Sequence, residues 1–308
     1  MLTDFGRGFR DSAALAAALE AHIRAYPVSV ARGPGGWVLR LPGRPPYPWR
    51  APRLRLRLRR KQPSGNFGEA AETAALDFIL DRWDPRVFYD IGASSGYFAH
   101  VAAMRARPRL AIHAFDLRPD LIARIRDTAG ALGLQGIEAH LSGMGARDEG
   151  LRDVWISLTR LYDHEPAPAE WREIWPVRLK MALLGRPGRD IPRRHRIRLD
   201  SIDAFAARNP PPPGLIKMDI DGYEAVALSG GMETFRRHRP VIMLEIHRAR
   251  FYRRFAVGRP EFLAPLFDLG YSALLLENRT RHRRVRVIPV GPGDPLLSRE
   301  ETDFLILA

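Results

Sequence analysis

Ionisable side chains spaced along short apolar runs are where this chain could do chemistry. Residues Leu215-Ile216-Lys217-Met218-Asp219-Ile220-Asp221-Gly222-Tyr223-Glu224 alternate apolar and ionisable positions, so a strand running to this point would set Lys217, Asp219 and Asp221 on one side. Three charges on a buried strand are costly. They are tolerated where the strand tip opens on a polar cleft, with Lys217 offsetting the carboxylates and Gly222 turning the chain into a helix near Glu224. A structural ion pair between Lys217 and one carboxylate is the competing reading. A second run, Pro240-Val241-Ile242-Met243-Leu244-Glu245-Ile246-His247, ends in an acid and a histidine. Imidazole titrates near neutral pH, so His247 joins Asp219 and Glu245 as a candidate proton acceptor on neighbouring strand tips. The carboxylates could instead hold Mg²⁺, which prefers oxygen ligands, although no metal is expected.

A third run, Val87-Phe88-Tyr89-Asp90-Ile91, stops at an acid and turns through Gly92-Ala93-Ser94-Ser95-Gly96 into a helical pattern at Tyr97. Gly92 would allow a sharp turn and close approach of a ligand to bare backbone, and Gly96 would let the next helix pack close to the strand. The spacing Asp-x-Gly-x-x-x-Gly lacks the third glycine that seats a pyrophosphate at a helix N-terminus. A ligand without phosphate, with an amino acid end and an adenosine end, suits it better, and S-adenosylmethionine is the common one. The run 110–115 then ends at Asp116, whose two acceptor oxygens suit a pair of ribose hydroxyls, although it could simply cap the helix from Pro119. The expected cofactor-binding set is Asp90, Gly92, Ala93, Gly96, Tyr97, Asp116, Leu117, Ser142 and Asp219.

These residues need a scaffold, and the pattern supplies one. Leu15, Leu19 and Ile23 predict a helix over 11–25, and Ala71, Ala74, Ala75, Phe78 and Ile79 another over 69–81. A helix over 119–131 and a strand over 137–141 continue a strand–helix alternation, which predicts an α/β fold with a mostly parallel sheet and ligands at the carboxyl ends of the strands. Pro and Gly density over 33–52 predicts turns, extended segments and a boundary. The alternating Arg53–Arg59 run reads as an edge strand or an arginine comb. From about 143 to 198 the alternation breaks down around Trp155, Trp171 and Trp175, an insertion that either walls the substrate or forms its own small core. The expected division is an N-terminal appendage over 1–68 and a catalytic domain over 69–308.

The ordered set Phe88-Tyr89-Asp90-Ile91-Gly92-Ala93 with Gly96, Phe115-Asp116, Leu199-Asp200-Ser201-Ile202, Ile216–Glu224 and Leu244-Glu245-Ile246-His247 resembles the FkbM family of S-adenosylmethionine-dependent methyltransferases over about residues 70–308. The resemblance implies a Rossmann-like class I methyltransferase fold, a seven-stranded sheet whose last strand, near 304–307, is antiparallel. It also implies O-methylation of a hydroxyl on a sugar or secondary metabolite. Three positions depart from the family pattern: Asp116-Leu117 stands for Glu-Pro, Ser94 for Asn, and Asp221 for Glu.

Bulk composition fits an ordinary soluble protein. With 45% hydrophobic and 27% charged residues, and no apolar run near the ~18 residues a membrane helix needs, no membrane span is expected. The first residues lack a secretory layout, so a cytoplasmic protein is expected. Zero cysteines exclude disulfides and thiolate chemistry. The net charge of +14 would suit a polyanion. Its source is arginine beside only Lys61, Lys180 and Lys217, a skew that looks like coding bias, so a small-molecule substrate is expected rather than nucleic acid. Methylation of RNA or DNA through the arginine-rich surface, or a non-catalytic binding role for the cofactor fold, are the rival readings. The sequence leaves the oligomeric state open.

Overall fold

The computed structural model describes residues 12–33, 36–49, 69–105, 109–156, 161–162, 165–167, 192–252 and 255–308. Helix α1 (Ser12–Ala25) buries Leu15, Leu19 and Ile23, the stripe its spacing predicts. Strands β1 (Ser29–Gly33), β2 (Gly36–Arg40) and β3 (Tyr47–Trp49) form a small antiparallel sheet in the region where Pro and Gly density predicts turns and extended segments. Helix α2 (Ala70–Trp83), strand β4 (Val87–Ile91), helix α3 (Tyr97–Ala103), strand β5 (Ala111–Asp116), helix α4 (Pro119–Ala131) and strand β6 (Ile137–Met144) follow in the expected alternation.

The region where the alternation breaks down contains three strands among the described residues: β7 (Gly150–Ile156), β8 (Leu161–Tyr162) and β9 (Arg193–Asp200). In β9 the arginines and His195 conceal a strand whose Ile197 packs with Val154 and Ile156 in a separate small core. Trp155 is half-buried under the Arg194 guanidinium, 5.9 Å from its ring centroid. Trp171, Trp175 and the Arg53–Arg59 run lie outside the described residues. The chain continues through α5 (Ile202–Arg208), β10 (Leu215–Met218), α6 (Glu224–Ser229), α7 (Met232–His238), β11 (Val241–Ile246), α8 (Arg259–Asp268), β12 (Ala273–Glu277), β13 (Arg286–Val290) and β14 (Asp303–Leu307).

Among the described residues one sheet has eleven strands in the order β13-β12-β14-β11-β10-β4-β5-β6-β9-β7-β8. The expected seven-stranded core is β6-β5-β4-β10-β11-β14-β12. The last strand, β14, runs antiparallel to both β11 and β12. Four further strands widen it, β13 at one edge and β9, β7 and β8 at the other. Two apolar cores cover the two faces. Along β4, Phe88 enters one while Val87, Tyr89 and Ile91 enter the other, the period-two alternation of a strand buried on both sides.

The N-terminal elements dock on the first of these cores. Arg24 donates to the Val285 carbonyl at 2.9 Å, Glu20 accepts the Val287 N–H at 2.8 Å, and Arg44 pairs with Asp77 of α2. No helix among the described residues is long and apolar enough to cross a membrane.

Candidate active site

The carboxyl ends of β4, β5, β6 and β10 border a cleft of about 420 Å³. Of the predicted cofactor residues, Gly92, Asp116, Leu117, Ser142 and Asp219 line it. Asp90, Ala93, Gly96 and Tyr97 lie outside the lining, and each has a local task. Asp90 is fully buried, and its Oδ2 accepts the Ala99 N–H at 3.1 Å. Burial pushes its carboxyl up to about 6, against the charge of Lys217 and the Ala99 hydrogen bond. Ala93 ties the loop to β5 by donating to the Phe115 carbonyl at 2.9 Å, and the Tyr97 hydroxyl meets Thr73 Oγ1 at 2.9 Å.

Both glycines answer to protein neighbours. Gly92 has φ +79°, and a Cβ there would stand 2.0 Å from the Asp219 carbonyl oxygen, so its bareness admits the β10 loop. Gly96, at φ +82°, would strike His100 and Ile125, so it lets α3 approach α4 rather than the strand.

Asp116 sits at the β5 tip and joins two loops. Its Oδ2 accepts the Ser94 N–H at 3.0 Å and its Oδ1 the Arg118 N–H at 2.9 Å. Burial raises its carboxyl to about 6, against those two hydrogen bonds. Each oxygen has a second lone pair that can face the cleft. Ser94 stands in the sequence reading only as a departure from the family pattern, outside the expected cofactor-binding set. It lines the cleft at φ +52°, a left-handed conformation that Asn tolerates better than Ser, which is the physical sense of Asn at this place in the family pattern.

The expected row of three charges on one strand is corrected. Strand β10 ends at Met218, so only Lys217 belongs to it, while Asp219 and Asp221 ride on the following turn. Lys217 is buried with its Nζ 3.7 Å from Asp219, 4.0 Å from Asp90 and 4.6 Å from the Phe98 ring centroid. It neutralises the carboxylates from beneath, and their charges hold its ammonium above the ordinary range despite burial.

Beyond Asp219, at the tip of β11, the structure brings Glu245 and His247 together with residues that sequence reasoning missed. Glu224, fully buried, accepts from the backbone N–H groups of Ile220 at 3.0 Å and Gly222 at 3.2 Å, from Tyr252 Oη at 2.9 Å and from His247 Nδ1 at 3.1 Å. His247 Nε2 faces Asp221 at 3.4 Å and Asp219 at 3.8 Å. Burial alone would lower the imidazole, but the bonds to Asp221 and Glu224 and the surrounding negative charge raise it to about 10. His247 therefore carries its proton through neutral pH, contrary to the base that its residue type suggests.

Glu245 takes the opposite position. Burial and the Asp219 charge push its carboxyl up to about 7, while Arg279 and His247 hold it from rising further. Arg279 bridges Glu245 at 2.5 Å to the buried Glu72 of α2 at 2.6 Å. Arg259, also buried, donates to the carbonyls of His247 at 2.9 Å and Ile246 at 3.2 Å and to Asp303 at 3.0 Å, fixing the β11 tip. Asp219, Glu245 and His247 have ligand atoms within 4.8 Å of one another, but Lys217 and Arg279 already compensate these carboxylates and the histidine is cationic. This set does not suit Mg²⁺.

A model described as the methyltransferase FkbM domain matches residues 90–273, which span the cleft and the Asp219–Glu245–His247 group. This chain belongs to the FkbM methyltransferase family. Among solved structures, the chain is similar to the methyltransferase FkbM from Methylobacillus flagellatus KT, at 13% identity and a TM-score of 0.39 over 72% of this chain. The match spans 43% of that protein's chain. A putative O-methyltransferase from Klebsiella pneumoniae is similar at 13% identity and a TM-score of 0.37, over 77% of this chain and 78% of that one. A SAH-bound methyltransferase from Podospora anserina is similar at 12% identity and a TM-score of 0.35, over 80% and 82%. No curated protein sequence matches this chain. Within the FkbM match, the tips of β4, β5, β6 and β10 supply the cleft and β11 supplies the acid beside it.

Proposed function

We propose that this FkbM-family protein uses S-adenosylmethionine to methylate a hydroxyl of a small molecule, a sugar or secondary metabolite, with Glu245 taking the proton. The observation that carries the reading is one cleft with a tethered two-oxygen acceptor, Asp116, at one side and Asp219 leading to a carboxyl poised near 7 at the other. Of the residues lining the cleft, Asp116 would accept from the ribose hydroxyls of the cofactor, Leu117 and Leu121 would meet its base, and Asp219 would offer negative charge to its sulfonium. The bound cofactor supplies an electrophilic methyl group. The protein's remaining task is to hold the acceptor oxygen in line, at about 3 Å, and to take its proton. Lys217 and the cationic His247 keep the neighbouring carboxylates in place. The N-terminal elements to residue 68 are an appendage to the methyltransferase domain of 69–308 in this reading.

Incubation with methyl-labelled cofactor and a small-molecule extract of the source cell, followed by mass analysis, tests it. A labelled methyl ether is the expected product. Label confined to nucleic acid, or cofactor bound without any transfer, contradicts the proposal.

The cofactor end has its own test. Asp116→Asn is expected to weaken S-adenosylmethionine binding by about 1.5–3 kcal/mol, because a charge-assisted acceptor is lost and the amide meets donors on both sides. The wild-type carboxyl, at about 6, must be ionised to accept, so affinity falls as pH drops below 6. The asparagine variant lacks that dependence. Calorimetry across pH 5–8 showing matching profiles for the two proteins removes Asp116 from the ribose role.

A further inference from the structure

A second cluster of ligand-type side chains lies outside the cleft, on the adjoining strands β5 and β6. His113 pairs in register with Glu138, and His140 follows two residues on, so all three share one face of the sheet. His113 Nδ1 is 3.0 Å from His140 Nε2 and 3.6 Å from Glu138 Oε2, and His140 Nε2 is 3.8 Å from the same oxygen. These separations define a triangle whose three corners are all ~2.0 Å from one interior point, within the range of zinc–imidazole and zinc–carboxylate bonds.

The surroundings support ligands more than a chance encounter. The His113 ring meets Tyr89 and Phe205 edge-on at 5.4 and 5.3 Å, and His140 is 4.9 Å from Phe115 and 5.2 Å from Phe205. Packed rings restrict the imidazoles and so lower the ordering cost of binding. The Glu138 side chain is 69% exposed and the His140 side chain 25%, which leaves a path from solvent and room for a water as further ligand.

We infer that His113, Glu138 and His140 bind one borderline transition-metal ion of the zinc type, at a site separate from the methyl-transfer cleft. Two imidazole nitrogens and one carboxylate oxygen are a donor set that favours Zn²⁺, Ni²⁺ or Cu²⁺ over Mg²⁺ or Ca²⁺. In the free protein the two rings meet nitrogen to nitrogen and share one N–H. When the ion takes both lone pairs, the ring that donated holds its proton on its other nitrogen. The ligands end two and three residues before Ser142 and Asp116 on the same strands, so the ion sits below the cleft and pins β5 to β6.

Titration of the full, chelator-treated chain with zinc chloride in a calorimeter tests the site. One ion per chain is expected, with affinity about 100-fold lower or lost in His140→Ala and at least about tenfold lower in Glu138→Gln. Glu245→Gln, in the other histidine–carboxylate group, should bind the ion as the wild type does. Absence of stoichiometric binding overturns the inference, as does binding unchanged in either β6 variant. Loss in Glu245→Gln alone also overturns it, by placing the ion at the cleft. Circular dichroism checks folding, and the exposed Glu138 variant carries the test should His140→Ala not fold.

Discussion

Glu245→Gln is expected to lower kcat on the labelled acceptor by about 10²–10⁴-fold, the range for losing a positioned general base, and to leave cofactor affinity unchanged. Glutamine keeps the shape and can still accept from Arg279, so the loss reports the missing proton acceptor rather than a collapsed strand tip. The pH profile makes the assignment specific. Glu245 must be ionised to act, so wild-type activity should rise with pH through about 7 and level off above it. Arg279 holds the carboxyl down, and Arg279→Met should therefore shift that rise to higher pH. A merely structural Glu245 would move no titration. Stability runs the other way: a carboxyl raised from 4.5 to about 7 favours the fold most below pH 4.5, and that contribution fades as pH climbs through 7. The protein thus gains activity over the window in which this group ceases to stabilise it. A kcat for Glu245→Gln within about threefold of wild type, with the Arg279→Met profile unmoved, returns the base role to Asp219.

What could be read from the sequence divides along the range of the forces involved. Helices α1, α2 and α4 and strands β4, β5, β10 and β11 follow from local periodicity, and Asp116 and Asp219 from the habit of parallel strands to end in polar residues at a cleft. The strand β9 was hidden because Arg193, Arg194, Arg196 and Arg198 outnumber its apolar positions, and only pairing with β6 and β7 reveals Ile197 as core. Arg279 and Arg259 act across long stretches of chain, through hydrogen bonds that no spacing rule anticipates. His247 was legible as chemistry but not in its protonation, because its proton is held by Glu224 and Asp221, side chains brought to it by the turn after β10. Gly92 was legible as a turn, whereas the Asp219 carbonyl that requires its bareness belongs to another loop.

Glu224→Ala is expected to destabilise the fold by about 3–5 kcal/mol, the cost of leaving a buried charge and its hydrogen-bond donors without their partner. Four donors converge on this fully buried carboxylate: two backbone N–H groups of the turn after β10, the Tyr252 hydroxyl and the His247 ring. Alanine offers none of them an acceptor, and the turn carrying Asp219 and Asp221 loses its anchor to β11. Glu224→Gln separates charge from shape. With the anion gone, the imidazole should fall from about 10 toward its ordinary 6.5, visible in its ring-proton chemical shifts. In the wild type, a histidine raised above its unfolded value stabilises fully below pH 6.5, and that contribution is lost as pH rises through about 10. Denaturant melts from pH 6 to 10 should therefore show a decline in wild-type stability that is shallower in Glu224→Gln. An equal decline in both proteins, or an unshifted ring titration, would mean that Glu224 does not hold the His247 proton and that the turn is anchored by its backbone contacts alone.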